Sequence, residues 1–175
     1  DIMGNRTHFN ELYATPDERS VVRYLTADMH NPGSLLNSLS MARENARTIR
    51  EIMPRVAFEY INDLFLYGKE NIGGAASRSR TAESMEGVMR RVQHIGGFLS
   101  GTMVHGDTWS FLRMGEFLER ADMTTRIIDV RSVDMLEKTE GLEPYSQLQW
   151  RSVLRSLHAM QTYHLAMQEP IQQPL

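Results

Sequence analysis

The stretch WSFLRMGEFLERADMTTRIIDVR, residues 109–131, predicts one long helix, and this helix decides the fold of the chain. Apolar and small side chains recur along it at steps of three and four residues, which is typical of a stripe that faces a core. The stripe consists of Phe111, Met114, Leu118, Ala121, Thr125 and Ile128. A second apolar sector, further round the helix, consists of Leu112, Met123, Ile127 and Val130. Because a helix that is apolar on two sides usually lies inside a bundle, we expect the first stripe to face the core.

Charged residues run between these two sectors. The strip between them contains Gly115, Glu119, Asp122, Arg126 and Asp129. Glu116 and Arg120 are four residues apart on another side, a spacing that allows an ion pair. If the helix is central, some of these charges are at least partly buried, and buried charges have to be paired or serve a function. The long helix is therefore the first place to look for a site.

The composition of the chain bounds its class. With 175 residues, 41% hydrophobic and 23% charged, it can bury a core, and we predict a single all-helical domain over residues 1–175. A net charge of −3 argues against a nucleic-acid partner, because phosphate binding needs a clustered basic surplus. The absence of cysteine excludes disulfides, cysteine-ligated zinc and thiol nucleophiles. Neither a membrane-length apolar run nor a signal peptide is visible, so we expect a cytoplasmic protein without a membrane partner.

Helix signals elsewhere predict an all-α bundle of about five helices. A capping box at Thr15-Pro16-Asp17-Glu18 begins the first, and Asn31 is the expected cap of the second. Pro54 must kink or restart that second helix. A loop from Gly68 to Arg80 precedes a third helix from about Thr81, the long helix runs from about Asp107 to Lys138, and a break at Gly141–Pro144 leads to the last.

Three arginines lie on one flank of the second predicted helix: Arg43, Arg47 and Arg50. One interpretation is a solvated basic edge, in which Arg47 pairs with Glu51. The other is an interhelical ion network between this flank and the acidic strip of the long helix, which could fix the bundle or line a polar pocket. The candidate residues for binding or for the network are Arg43, Glu44, Arg47, Arg50, Glu116, Asp122, Arg126 and Asp129.

No metal or cofactor site is predicted. Di-iron bundles use Glu-x-x-His pairs, and the sequence has none. His94 and His105 are eleven residues apart, about 16 Å along a helix, which is too far for one ion. Gly73-Gly74 lacks the spacing of a phosphate-binding loop, and no serine lies in a nucleophile elbow.

Long blocks of the sequence resemble the bacterial alpha-E family. These blocks are RYLTADMHNPGSLLNSLSMARENAR (23–47), GTMVHGDTWSFLRMGEFLERADMTTRIIDVR (101–131) and QWRSVLRS (149–156), and the similarity extends from about Val21 to Tyr163. The family is named for a Glu-Arg motif, here Glu119-Arg120. The resemblance implies an α-helical fold without an established activity. It also implies genomic neighbours, namely circularly permuted ATP-grasp ligases and transglutaminase-like proteins of a proposed peptide- or amide-forming system.

The resemblance carries a departure from the family pattern. Family members usually have about three hundred residues and open with an additional Glu-Arg helix, so this chain is expected to be a central part of a family member. An uncovered apolar sector on the long helix would then predict dimerisation, domain swapping or coverage by a further part of the chain, and a homo-oligomer is the expected state.

Three functions remain open at this point. The first is a non-catalytic scaffold or substrate-presenting partner of an ATP-grasp ligase. The second is an enzyme acting on a small peptide or amide between the second and fourth predicted helices, with Glu119 as general acid or base and Arg120 or Arg47 positioning a carboxylate. The third is a purely structural oligomeric module.

Overall fold

The computed structural model of the chain describes residues 4–72, 78–136 and 146–168. These residues form eight α-helices and no strand. The helices are α1 (Arg6–Leu12), α2 (Glu18–Thr26), α3 (Leu35–Thr48), α4 (Arg55–Asn71), α5 (Arg78–Thr102), α6 (Asp107–Leu136), α7 (Ser146–Ser156) and α8 (Met160–Met167). The all-α prediction is confirmed, and no described helix is long and apolar enough to cross a membrane.

The predicted number of about five helices is wrong, and three features account for the difference. The segment before the first predicted helix contains α1. The second predicted helix is two helices, because Pro54 caps a new helix instead of bending a continuous one. The last predicted helix is also two, since the chain turns between Ser156 and Met160 and His158 adopts a positive φ.

The predicted caps are displaced by a few residues. Helix α2 is capped by Asp17, not Thr15: the Asp17 carboxylate accepts from the amide of Ser20 at 2.6 Å, and the Ser20 hydroxyl lies 3.0 Å from the Asp17 amide. Helix α3 is capped by Ser34, not Asn31. The expected loop from Gly68 is shorter, because α4 continues to Asn71 and α5 begins at Arg78; residues 73–77 and the predicted break at 141–144 lie outside the described residues.

Asn31 organises the turn before α3 from the inside. Its side chain is fully buried, and its amide donates to the carbonyl of Tyr24 at 2.9 Å. Its side-chain oxygen accepts from the amide of Gly33 at 3.0 Å. The asparagine therefore satisfies backbone groups of both α2 and the turn, which is a different task from capping a helix.

The chain divides into two compact units, residues 5–111 and residues 1–4 with 112–175. In the first unit α3 packs on α4 and α4 on α5, around a core of Leu39, Leu64, Ile72 and Val88. In the second unit Val153 of α7 is buried and α7 packs on α8. The single-domain prediction remains a prediction.

Helix α6 begins at Asp107 as predicted and is described to Leu136; Lys138 lies outside the described residues. The prediction that its first stripe faces the core is wrong, since Phe111 is 69% and Leu118 64% exposed. The second sector is more enclosed, since Leu112, Ile127 and Val130 are half-buried, although Met123 is 37% exposed. Periodicity predicts two apolar sectors on the helix, but it does not determine which of them packs against the rest of the protein.

Candidate functional site

The arginine surface, defined as Arg43, Arg47 and Arg50, lies at the end of α3 and the turn that follows. The Arg43 Nε donates to Oδ1 of Asn62 on α4 at 2.7 Å, and its guanidinium lies 5.2 Å from the centre of the Phe65 ring. The Arg50 guanidinium lies 5.0 Å from the centre of the Phe58 ring. Helix α4 therefore holds two of these cations in place through its aromatic and amide side chains.

Arg47 is paired within its own helix. It bonds Glu44 at 2.5 Å, three residues earlier, and not Glu51 as predicted. This hydrogen bond is the main reason why the pKa of the Glu44 carboxyl lies below its ordinary value; desolvation opposes it, and the charges of Arg47 and Arg43 add to it. In the described ranges neither Arg43 nor Arg50 forms an ion pair with an acidic side chain.

The charges of α6 pair along the helix. Glu116 bonds both Arg113 and Arg120, the latter at 3.0 Å, so the predicted Glu116–Arg120 pair is confirmed. Asp122 accepts from Arg126 at 2.8 Å. Some of the α6 charges were expected to be at least partly buried, and Glu116 is half-buried, whereas Glu119, Asp122, Arg126 and Asp129 of the strip are all exposed. Since four exposed charges remain hydrated, they need no buried partner.

Glu119 stands apart from these pairs. Within the part of the chain that the structure describes, it has neither a hydrogen bond nor an ion pair, while the neighbouring Arg120 bonds Glu116. A shallow depression of about 500 Å³ lies further along α6, against Thr125, Arg126, Ile128 and Asp129. The depression is open to solvent, and Glu119 is not among the residues that line it. The roles predicted for Glu119 and Arg120, and the pairing of the arginine surface with the acidic strip, remain predictions.

The histidines singled out in the sequence have aromatic partners. The His94 ring meets the Tyr60 ring edge to face at 4.6 Å, and the His105 ring stacks on Trp109 at 4.5 Å. His105 also forms a 3.0 Å hydrogen bond with the Ser100 carbonyl. No group of three acidic or histidine side chains among the described residues could hold a metal ion.

A polar cluster that the sequence analysis missed lies between α1 and the turn after α2. The Asp28 carboxylate accepts from the Tyr13 hydroxyl at 2.6 Å, from the His30 amide at 2.9 Å and from His30 Nδ1 at 3.1 Å. Burial is the largest single influence on the pKa of Asp28 and raises it, but the hydrogen bonds from Tyr13 and His30 together hold it below its ordinary value. Burial, followed by Asp28, raises the pKa of Tyr13.

This cluster can orient an exposed imidazole. The contact between Asp28 and His30 could have been predicted, because the two residues are close in sequence, within the turn-rich segment DMHNPG. Tyr13, fifteen residues away from Asp28, could be assigned only after the fold was known.

The comparisons with known proteins show one family. Residues 1–174 match the Alpha-E family, described as a predicted alpha-helical domain with a conserved ER motif. No curated protein and no solved structure gave a significant match. Because the matched residues are nearly the whole chain, this chain belongs to the Alpha-E family. Glu-Arg dipeptides occur in it twice, as Glu18-Arg19 at the beginning of α2 and Glu119-Arg120 in the middle of α6.

Proposed function

We propose that this Alpha-E chain is a non-catalytic helical partner of a circularly permuted ATP-grasp ligase in a peptide- or amide-forming system. On this proposal the arginine surface binds an acidic surface of the ligase. The choice of ligase comes from the genomic company that the family resemblance implies, which is an association and not a contact. The single structural observation that supports it is the fixed placement of Arg43 and Arg50 over aromatic rings of α4.

Preorganised arginines are suited to protein binding for an energetic reason. A long side chain loses rotamer freedom when a partner immobilises it, at a cost of about 0.5–1.5 kcal/mol. Arg43 has already lost much of this freedom, since Asn62 and Phe65 hold it before any partner arrives. Arginine is also enriched among the residues that dominate protein interfaces.

The charge of the surface favours an acidic partner. Glu44 compensates Arg47, whereas Arg43 and Arg50 form no ion pair within the described residues. Two cations that form no ion pair of their own attract carboxylates, and such complementarity increases the association rate and selects the partner. Arginine can bind a carboxylate through two parallel hydrogen bonds, which adds geometric specificity.

The test is co-purification of the full chain with the neighbouring ATP-grasp protein, with ATP hydrolysis followed in the same sample. The Arg43→Gln/Arg50→Gln double variant should weaken binding by about tenfold or more, because arginine is enriched among the interface residues whose truncation costs about 2 kcal/mol or more. The matched control, Arg90→Gln/Arg155→Gln, removes two exposed arginines of α5 and α7 and should bind like the wild type.

Three results would overturn the proposal. They are no complex at micromolar concentration, equal weakening by the test and control variants, or turnover of an amide substrate by the purified chain alone. The same titration with the transglutaminase-like neighbour shows whether that protein is the partner in place of the ligase.

A further inference from the structure

His30, in the turn between α2 and α3, has one ring nitrogen bonded to a largely buried carboxylate while most of the ring is exposed. The side chain of His30 is 81% exposed, and that of its partner Asp28 is 12% exposed. We propose that Nε2 of His30 accepts a phosphoryl group from an acyl phosphate or a nucleoside triphosphate. All of the contacts that support this proposal lie within the unit of residues 5–111, and none involves the arginine surface.

The hydrogen bonds of His30 decide which ring nitrogen can react. Nδ1 lies 3.1 Å from Oδ1 of Asp28. The Asp28 carboxyl is ionised at neutral pH, since burial raises its pKa but the hydrogen bonds from Tyr13 and His30 together hold it below its ordinary value. An ionised carboxylate only accepts hydrogen bonds, so Nδ1 carries the hydrogen. In the neutral ring the lone pair is therefore on Nε2, which is the nitrogen that can act as a nucleophile.

The fold fixes the position of this imidazole. Oδ1 of Asp28 also accepts from the His30 amide at 2.9 Å, and Oδ2 accepts from the Tyr13 hydroxyl at 2.6 Å. The next residue, Asn31, is fully buried and donates to the carbonyl of Tyr24 at 2.9 Å. Both carboxylate oxygens thus have a hydrogen bond without the ring, and the third bond serves mainly to orient the imidazole.

The proposed transfer is balanced by groups that the site and the donor contain. The lone pair of Nε2 forms a bond to phosphorus while the bond from phosphorus to the leaving oxygen breaks. The electron pair of that bond departs with the leaving group, which is a carboxylate or a nucleoside diphosphate. The hydrogen stays on Nδ1, so the ring becomes positively charged. Asp28 faces this charge and stabilises it, as the carboxylate of a Ser-His-Asp triad stabilises its imidazolium.

A nearby cation favours an anionic reagent such as a phosphoryl donor. Arg23 is exposed on α2 and forms no ion pair within the described residues. Its charge acts on the cluster, because burial and then Asp28 raise the pKa of Tyr13 and the charge of Arg23 opposes them. Arginine attracts and bonds phosphate oxygens, so Arg23 offsets the repulsion between Asp28 and an approaching donor.

The first test compares two histidines within the same molecule. His94 is the internal control, because it is also exposed but has no hydrogen bond within the described residues. Phosphoramidate, a small phosphoryl donor, should modify His30 on Nε2 about tenfold faster than His94, since a carboxylate stabilises only the His30 ring. Mass spectrometry and ³¹P NMR at neutral pH measure the two rates and identify the nitrogen. Equal rates, or modification of His30 on Nδ1, would overturn the proposal.

The second test uses variants and keeps His94 as the standard. Asp28→Asn should slow phosphorylation of His30 by about tenfold or more, because it removes the charge that faces the imidazolium. An unchanged ratio of the His30 and His94 rates in this variant would contradict the role of Asp28. Circular dichroism establishes that the variant is helical, and if it does not fold, the wild-type ratio and the Arg23 variant decide.

Arg23→Gln separates attraction of an anion from nucleophilicity. It should slow the reaction of His30 with phosphoramidate by about two- to fivefold, the effect of one exposed charge. The reaction with diethyl pyrocarbonate, which is uncharged, should keep its rate. Arg19→Gln removes another exposed arginine of α2 and should change neither reaction. Equal effects of Arg23→Gln on both reagents would show that the site has no preference for a phosphoryl donor.

The third test identifies the donor and is independent of the proposed ligase. Labelled acetyl phosphate is added to the chain alone, and labelled MgATP is added to the chain with the neighbouring ATP-grasp protein; His30→Gln is the control. Label on His30 in only one sample assigns the donor class, and label in neither sample overturns the proposal. The Arg43→Gln/Arg50→Gln variant should react with acetyl phosphate like the wild type, so failure of ligase binding leaves this result unaffected.

Discussion

The hydroxyl end of the Tyr67 side chain lies so close to Gly87 that a methyl group on residue 87 would occupy the same space. The Arg91 guanidinium lies 3.7 Å from the centre of the Tyr67 ring. Arg91 also pairs with Asp63 at 3.1 Å, so the ring is fixed between α4 and α5. This contact sets how closely the two helices approach.

Gly87→Ala should therefore destabilise the chain by about 1–3 kcal/mol, because the ring has to move within a packed seam. Gly96→Ala in the same helix is the control. Residue 96 faces open space, so alanine there should stabilise the helix by about 0.5–1 kcal/mol. Urea unfolding of both variants measures the difference. Tyr67→Phe should partly restore the stability that Gly87→Ala loses. Equal changes in unfolding free energy for Gly87→Ala and Gly96→Ala would show that the contact between α4 and α5 is not tightly packed at Gly87.

Asn31→Ala should cost about 2–4 kcal/mol of unfolding free energy. The substitution removes two hydrogen bonds from a fully buried site and leaves the Tyr24 carbonyl and the Gly33 amide without partners. Asn45→Ala, at an exposed position of α3, should stay within about 0.5 kcal/mol of the wild type. Equal midpoints of thermal unfolding for Asn31→Ala and Asn45→Ala would mean that water replaces the two hydrogen bonds of the Asn31 side chain.

Tyr13→Phe should reduce the change in unfolding free energy that accompanies a fall in pH through the acidic range. The Tyr13 hydrogen bond helps to hold the pKa of Asp28 below its ordinary value of 3.8, although burial pushes it upward. A lowered pKa contributes stability that is present above the ordinary value and is lost as the pH falls through the folded-state pKa. The variant should therefore be less stable at pH 7 by about 1–3 kcal/mol, with the deficit shrinking below about pH 4.

Urea midpoints between pH 3 and 7 measure this deficit. Tyr60→Phe is the control for loss of a hydroxyl, since Tyr60 has ring contacts but no hydrogen bond within the described residues. A deficit of Tyr13→Phe that stays constant across this pH range would contradict the assigned role of Asp28.

Glu119→Gln should leave stability unchanged within about 0.5 kcal/mol, because its carboxylate is exposed and has no partner within the described residues. Glu116→Gln, which loses bonds to Arg113 and Arg120, should cost less than about 1 kcal/mol. Thermal unfolding checks both values. Loss of cellular function by Glu119→Gln without loss of stability would identify a functional carboxylate. A large loss of stability would instead indicate that Glu119 belongs to a buried ion network.

The features that could be predicted from the sequence are those that depend only on residues close together along the chain. The i, i+4 pair of Glu116 and Arg120 follows from helix geometry alone, and so does the beginning of α6 at Asp107. The partner of Arg47 is also local, but Glu44 and Glu51 offer nearly equivalent spacings. The cap of α3 was misplaced because Asn31 and Ser34 are both good capping residues, and the buried site at Asn31 depends on α2.

The sequence by itself determined that the chain is helical, that it belongs to the Alpha-E family and that α6 has two apolar sectors, because periodicity and motif are properties of neighbours along the chain. Only the tertiary structure decided which sector is open to solvent, that α4 holds the arginines of α3, and that Tyr13 meets Asp28. These contacts join residues distant in sequence, and their energies depend on which surfaces the folded chain brings together.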